Sequence, residues 1–161
     1  MDDKENYLLE LLSAMAMNLG NEDLWMEYKG CFPPENWPIV REQVFSLVES
    51  GKYRLIPWYA LEERYDLVMD EIEDGLHTDW LKKYKKELQS RYPERCVKVL
   101  SDETKEMAER SNNRKDYRKV AKNLRWMQQF PGGWEATAEL AEEFRVQYKR
   151  RPAMIEEIAE F

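Results

Sequence analysis

The stretch Asn113-Arg114-Lys115-Asp116-Tyr117-Arg118-Lys119-Val120-Ala121-Lys122-Asn123-Leu124-Arg125-Trp126-Met127 decides the fold. Tyr117, Val120, Ala121, Leu124 and Met127 recur at three- and four-residue steps, which places them on one face of a helix. Charged residues fill most of the other positions, so the apolar stripe must be buried against a neighbouring element. Just beyond, Pro131-Gly132-Gly133 forms a turn, because proline lacks an amide donor and glycine tolerates left-handed backbone. Trp134 opens a second helix with Leu140, Ala141, Phe144 and Tyr148 inward. Pro152 then stands at the first position of a short closing helix bearing Met154, Ile155 and Ile158.

The same period runs back to the start of the chain. Tyr7, Leu8, Leu11, Leu12, Met15 and Leu19 form one face, closed by Gly20. Asn21 is a cap for a short helix holding Leu24, Trp25 and Tyr28. The run Gly30-Cys31-Phe32-Pro33-Pro34 breaks the chain. Asn36 caps the next helix, whose stripe is Trp37, Val40, Val44, Leu47 and Val48 and whose stop is Gly51. Two short helices are predicted at about 53–62 and 65–74, joined near Glu63-Arg64. Thr78 caps a helix to about Arg91, with Leu81, Tyr84 and Leu88 inward, and Tyr92-Pro93 separates it from a longer one ending near Asn112-Asn113.

No segment sustains the two-residue alternation of a strand. The expectation is an all-α fold of roughly nine or ten helices, with short connections making neighbours antiparallel. Tyr84, Leu88, Tyr92 and Arg95 return 56 positions later as Leu140, Phe144, Tyr148 and Arg151. That echo points to stacked antiparallel helix pairs, a tetratricopeptide-like α-solenoid forming a single domain over 1–161.

Composition narrows the class. The 161 residues are 43% hydrophobic and 35% charged, enough for a packed core under a solvated surface. Six Trp, nine Tyr and five Phe argue against disorder. No uncharged run approaches the length of a membrane span, and no basic region followed by an apolar one opens the chain. Cys31 and Cys96, 65 positions apart, are expected to be buried reduced thiols, and the expected location is cytoplasmic with no membrane association.

The chemistry-bearing residues form no catalytic set. His77 is the single histidine, and a zinc site needs more ligands than it and the two cysteines supply. The serines lack a nucleophile elbow, and Gly132-Gly133 is an isolated turn rather than a phosphate loop. Asp70, Glu71, Glu73 and Asp74 crowd the end of a short helix, where negative charge is unfavourable, and read as a solvated acidic rim. No cofactor or metal is therefore expected, and the chain is read as non-enzymatic.

Charge is uneven within a net of −7: residues 1–75 carry −11 and residues 76–161 carry +4. Between Lys82 and Arg125 there are 15 basic and 7 acidic residues. Arg114, Arg118, Lys122 and Arg125 follow helical spacing and should share a face, and Lys82, Lys83 and Lys86 cluster on another helix. These seven residues are the candidate interaction surface. Neighbouring acids such as Glu106, Glu109 and Asp116 are expected to neutralise much of it.

The stretch from Ser111 to Ala121, then Phe130-Pro131-Gly132-Gly133, then Tyr148-Lys149-Arg150-Arg151-Pro152-Ala153-Met154, resembles the C-terminal helical region of bacterial SWIM zinc-finger proteins. Glu35-Asn36-Trp37 with Val40-Arg41, and Arg64-Tyr65-Asp66 with Leu67-Val68, look like earlier parts of the same region. The finger itself, a Cys-x-Cys pair followed by Cys-x-His, is absent, so no zinc ligand carries over to any position. The resemblance implies an interaction role. The expected function is a helical-repeat scaffold that binds a protein partner; the alternative is a nucleic-acid-associated module using the basic 82–125 stretch.

Overall fold

Proline and short polar side chains set the helix starts. Asp2, Asn21 and Asn113 cap helices by accepting the amides of Lys4, Leu24 and Asp116 at 2.6, 3.0 and 2.9 Å. Pro38, Pro57, Pro93 and Pro152 occupy first-turn positions, where a missing amide donor costs nothing. The computed structural model describes residues 2–161, and among these it is all-α with no strand. There are eleven α-helices, beginning with α1 (Asp3–Met17), α2 (Glu22–Lys29), α3 (Trp37–Ser46) and α4 (Ile56–Leu61). Next come α5 (Tyr65–Gly75), α6 (Asp79–Lys83) and α7 (Lys85–Arg91). The last four are α8 (Pro93–Arg110), α9 (Arg114–Met127), α10 (Gly133–Gln147) and α11 (Pro152–Glu157).

Two predicted helices differ from those observed. The one over 53–62 begins as a 3-10 turn, Lys52–Leu55, because Pro57 has no amide to continue an upstream ladder and α4 must restart around it. The one over 78–91 is broken at Tyr84, whose backbone (φ −113°, ψ 23°) leaves the helical region. Periodicity is blind to that break, since Leu81 and Leu88 are wholly buried on either side of it. Thr78 and Asn36 stand at helix starts without a side-chain cap bond.

The chain divides into two compact units, the first ending at Glu71 and the second running Ile72–Phe161, with the boundary inside α5. Unit 1 has an aromatic core. Trp25 is fully buried, stacked on Trp58 at 4.8 Å and on Phe45 at 5.3 Å, with Trp37 edge-on at 5.2 Å. Such ring pairs each add about 0.5–1.5 kcal/mol beyond the area they bury.

Unit 2 has a mostly aliphatic core. Leu100 from α8, Val120, Leu124 and Met127 from α9, Leu140 and Phe144 from α10, and Met154 from α11 are all buried. The α9–α10 corner depends on two adjacent glycines. Gly132 adopts φ +78°, and a side-chain carbon on Gly133 would fall 1.7 Å from the Met127 carbonyl oxygen. Two junctions of unit 2 share a local geometry: Arg95 lies over the Tyr92 ring at 5.2 Å, and Arg151 over the Tyr148 ring at 4.6 Å.

Candidate functional site

The basic ladder of α9 forms, but it splits. Each step of four residues turns about 40° further round a helix and the last step of three turns back about 60°, so Lys122 stands apart from the three arginines. Arg114 therefore reaches Glu156 and Glu157 at 2.7 and 2.9 Å, Arg118 lies 3.5 Å from Glu157, and Arg125 bonds Glu160. These acids belong to α11 and the turn after it. Glu106, Glu109 and Asp116 do not neutralise the ladder as expected; Asp116 instead accepts from Asn113 at 3.0 Å. The sequence missed the true partners because they lie more than thirty positions away.

Lys122 lies to one side of those arginines. It lines an open groove of about 440 Å³ between α6, α8 and α9 with Lys82, Lys119, Arg125 and the half-buried Trp126. Asp79, Glu103 and Asn123 complete its polar wall. Lys82 Nζ stands 5.4 Å from the Trp126 ring centroid. Below, Asn123 Nδ2 donates to the buried Thr104 hydroxyl at 2.6 Å, which in turn donates to the Leu100 carbonyl at 2.6 Å. Lys83 is placed elsewhere, over the Trp80 and Tyr84 rings, and the exposed Lys86 does not line the groove. Of the seven residues singled out in the sequence, the groove gathers Lys82, Lys122 and Arg125; it adds Lys119 and Trp126, which were not among the seven.

Unit 1 carries a groove of opposite character. Leu12, Met15, Ala16 and Leu19 on and after α1 face Val44, Leu47 and Val48 on and after α3, with Trp58 at the floor, around about 240 Å³. No charged side chain lines it. Leu47 is 70% exposed at its rim, an unusual placement for a leucine that its own helix repeat directs inward. Residues 1–71, which include every residue lining this recess, carry a net −9.

Beside it lies a polar node the sequence reading passed over. The Glu62 side chain is only 2% exposed. It accepts from Trp37 Nε1 at 2.6 Å, Lys29 Nζ at 3.0 Å, Trp25 Nε1 at 3.2 Å and Arg41 Nη1 at 3.4 Å. Burial pushes its carboxyl up, but the bonds from Trp37, Lys29 and Trp25 outweigh this and hold it below the ordinary glutamate value of 4.5. A signal existed: Trp25 with Lys29 and Trp37 with Arg41 are the same indole-cation pair at four-residue spacing, twelve positions apart.

Elsewhere, Glu73 of the acidic rim is bound by Arg95. Cys31 is half-buried and Cys96 buried, both free, and burial pushes the Cys96 thiol up to about 11. Among the described residues no cluster of His, Cys, Asp and Glu could hold a metal ion, and no helix is long and apolar enough to cross a membrane. Comparison with known proteins yields no matching family model, curated protein or solved structure.

Proposed function

We propose that this chain is a non-enzymatic interaction module of the α-solenoid kind, built from stacked antiparallel helix pairs, and that it docks a protein partner through the apolar groove of unit 1. The observation that carries the reading is that groove: eight lining residues without a charge and an exposed Leu47 at the rim, in a unit whose residues 1–71 carry a net −9. The occupant is a cationic amphipathic helix. Its apolar stripe supplies anchors at helical spacing for the groove, and its basic face complements that net charge. The matching Tyr–Arg junctions at 92–95 and 148–151 support the repeat reading, as does the resemblance of 111–154 to helical regions that accompany SWIM fingers.

Titration with two synthetic amphipathic helices, one Leu/Lys and one Leu/Glu, tests it. The Leu/Lys peptide should bind saturably and more weakly as salt rises, and Leu47→Asp should weaken it at least about tenfold. Equal binding of both peptides, or indifference to Leu47→Asp, would overturn the reading.

A further inference from the structure

Three lysines of unit 2 differ in their pairing from the arginines of α9. Arg114, Arg118 and Arg125 each meet an acid of α11 or the turn after it. Lys82, Lys119 and Lys122 enter no ion pair among the described residues, yet they converge from two helices on one recess. Gathering like charges raises the local positive potential. The recess has a second distinguishing feature in Trp126, a half-buried indole on its wall.

The other wall residues limit what fits. Against the unpaired Lys82, Lys119 and Lys122 stand the carboxylates of Asp79 and Glu103, and Arg125 is held by Glu160, leaving a lining charge of about +1. A phosphate monoester carries about −1.5 to −2 at neutral pH, the sign and compactness that adjacent unpaired lysines such as Lys119 and Lys122 attract. A longer polyanion would meet Asp79 and Glu103 inside the groove, and Glu157 and Glu160 already occupy the arginine side of α9. Asp79 and Glu103 suit hydroxyl or amino donors, the Asn123 carbonyl oxygen offers an acceptor while its amide nitrogen donates to Thr104 and Glu103, and the indole, shared with Lys82, offers a stacking surface. The volume of about 440 Å³ is that of a small-molecule site.

We propose that the groove between α6, α8 and α9 binds a phosphate monoester on a planar, hydroxyl-bearing group, the chemistry of a nucleoside monophosphate, with phosphate on Lys119 and Lys122 and the ring against Trp126. This stands independently of the unit 1 groove.

The test is a nitrogen–proton correlation spectrum of the full chain, in which Trp126→Phe identifies the Trp126 indole signal. Titrants are adenosine monophosphate, adenosine, inorganic phosphate and a short single-stranded oligonucleotide. The monophosphate should move the Trp126 signal saturably, with adenosine and phosphate each at least about tenfold weaker. Lys119→Gln with Lys122→Gln should weaken the monophosphate at least about tenfold, and Lys86→Gln, outside the groove, should not. A Trp126 signal unmoved by the monophosphate overturns the proposal. So does phosphate alone binding as well, which marks a bare anion site, or the oligonucleotide binding more tightly, which marks a nucleic-acid surface.

Discussion

The two units of this chain solve the same problem in different ways. Unit 2 buries aliphatic stripes of three long helices, α8, α9 and α10, and keeps its ion pairs outside. Unit 1 works with shorter helices after α1, packs rings upon rings, and admits one carboxylate to its interior. A short helix presents few stripe positions, so each must carry a large side chain, and an indole brings a polar N–H that needs an acceptor once buried. Glu62 supplies that acceptor. The lesson is that an aromatic core has a polar requirement that an aliphatic one lacks.

The comparison is tested most severely at the two glycines where backbones meet. Gly133→Ala in unit 2 should cost about 3 kcal/mol or more in a urea titration, since its new carbon would fall 1.7 Å from a carbonyl oxygen. Gly20→Ala in unit 1 should cost a similar amount, with φ +88° and the Arg54 carbonyl oxygen 2.4 Å away. Gly132→Ala has open space and only its φ of +78° to oppose it, so about 1 kcal/mol is expected. If Gly132→Ala proved the worst of the three, the close approaches would be misplaced.

Core truncation comes next. Trp25→Ala should cost about 3–5 kcal/mol, and Leu124→Ala and Phe144→Ala about 2–5 kcal/mol each, all read as lower denaturant midpoints. A tolerant Trp25 would sever the link between ring packing and the stability of unit 1.

The node itself should show in the pH dependence. Because the folded carboxyl of Glu62 is held below its ordinary value of 4.5, its contribution is complete above that pH and is lost as pH falls through the folded value. Glu62→Gln should cost about 2 kcal/mol near neutrality and flatten the acid limb of stability below the ordinary glutamate value of 4.5. Trp37→Phe, which removes the shortest bond, should move that limb to higher pH. An unchanged acid limb in both variants would remove Glu62 from the account.

The smallest effect belongs to unit 2. Thr104→Val removes one buried hydroxyl that bonds Leu100 and Asn123, and about 1 kcal/mol is expected from thermal melts. A loss larger than that from Glu62→Gln would reverse the contrast, placing the decisive polar contact in unit 2.

The sequence made the all-helical class legible, along with most element boundaries, because α8 to α10 repeat their apolar positions over three or more turns. Leu124, Leu140 and Phe144 are buried where the period puts them. What stayed hidden was of two kinds. Breaks at Tyr84 and before Pro57 leave the apolar spacing intact, so a periodic reading passes over them. Partnerships across long separations, such as Arg114 with Glu156 or Trp37 with Glu62, depend on tertiary placement that local spacing does not encode. The candidate surface was half legible for the same reason. Its cations were visible, but which were paired and which turned toward Trp126 depended on where α11 and α6 pack.

The four donors on Glu62 also settle how α2 and α3 are rotated. Two carboxylate oxygens offer about four lone-pair positions, and the four donors fill that capacity. The donors arrive in couples, Trp25 with Lys29 from one helix and Trp37 with Arg41 from the other. A helix seated one residue out of register would turn about 100° and forfeit both members of its couple together. The node thus acts as a proofreading contact among alternative packings of similar oiliness. Its worth lies in the energy gap between the right packing and the wrong ones, a gap that rings alone, being tolerant of sliding, would leave narrow.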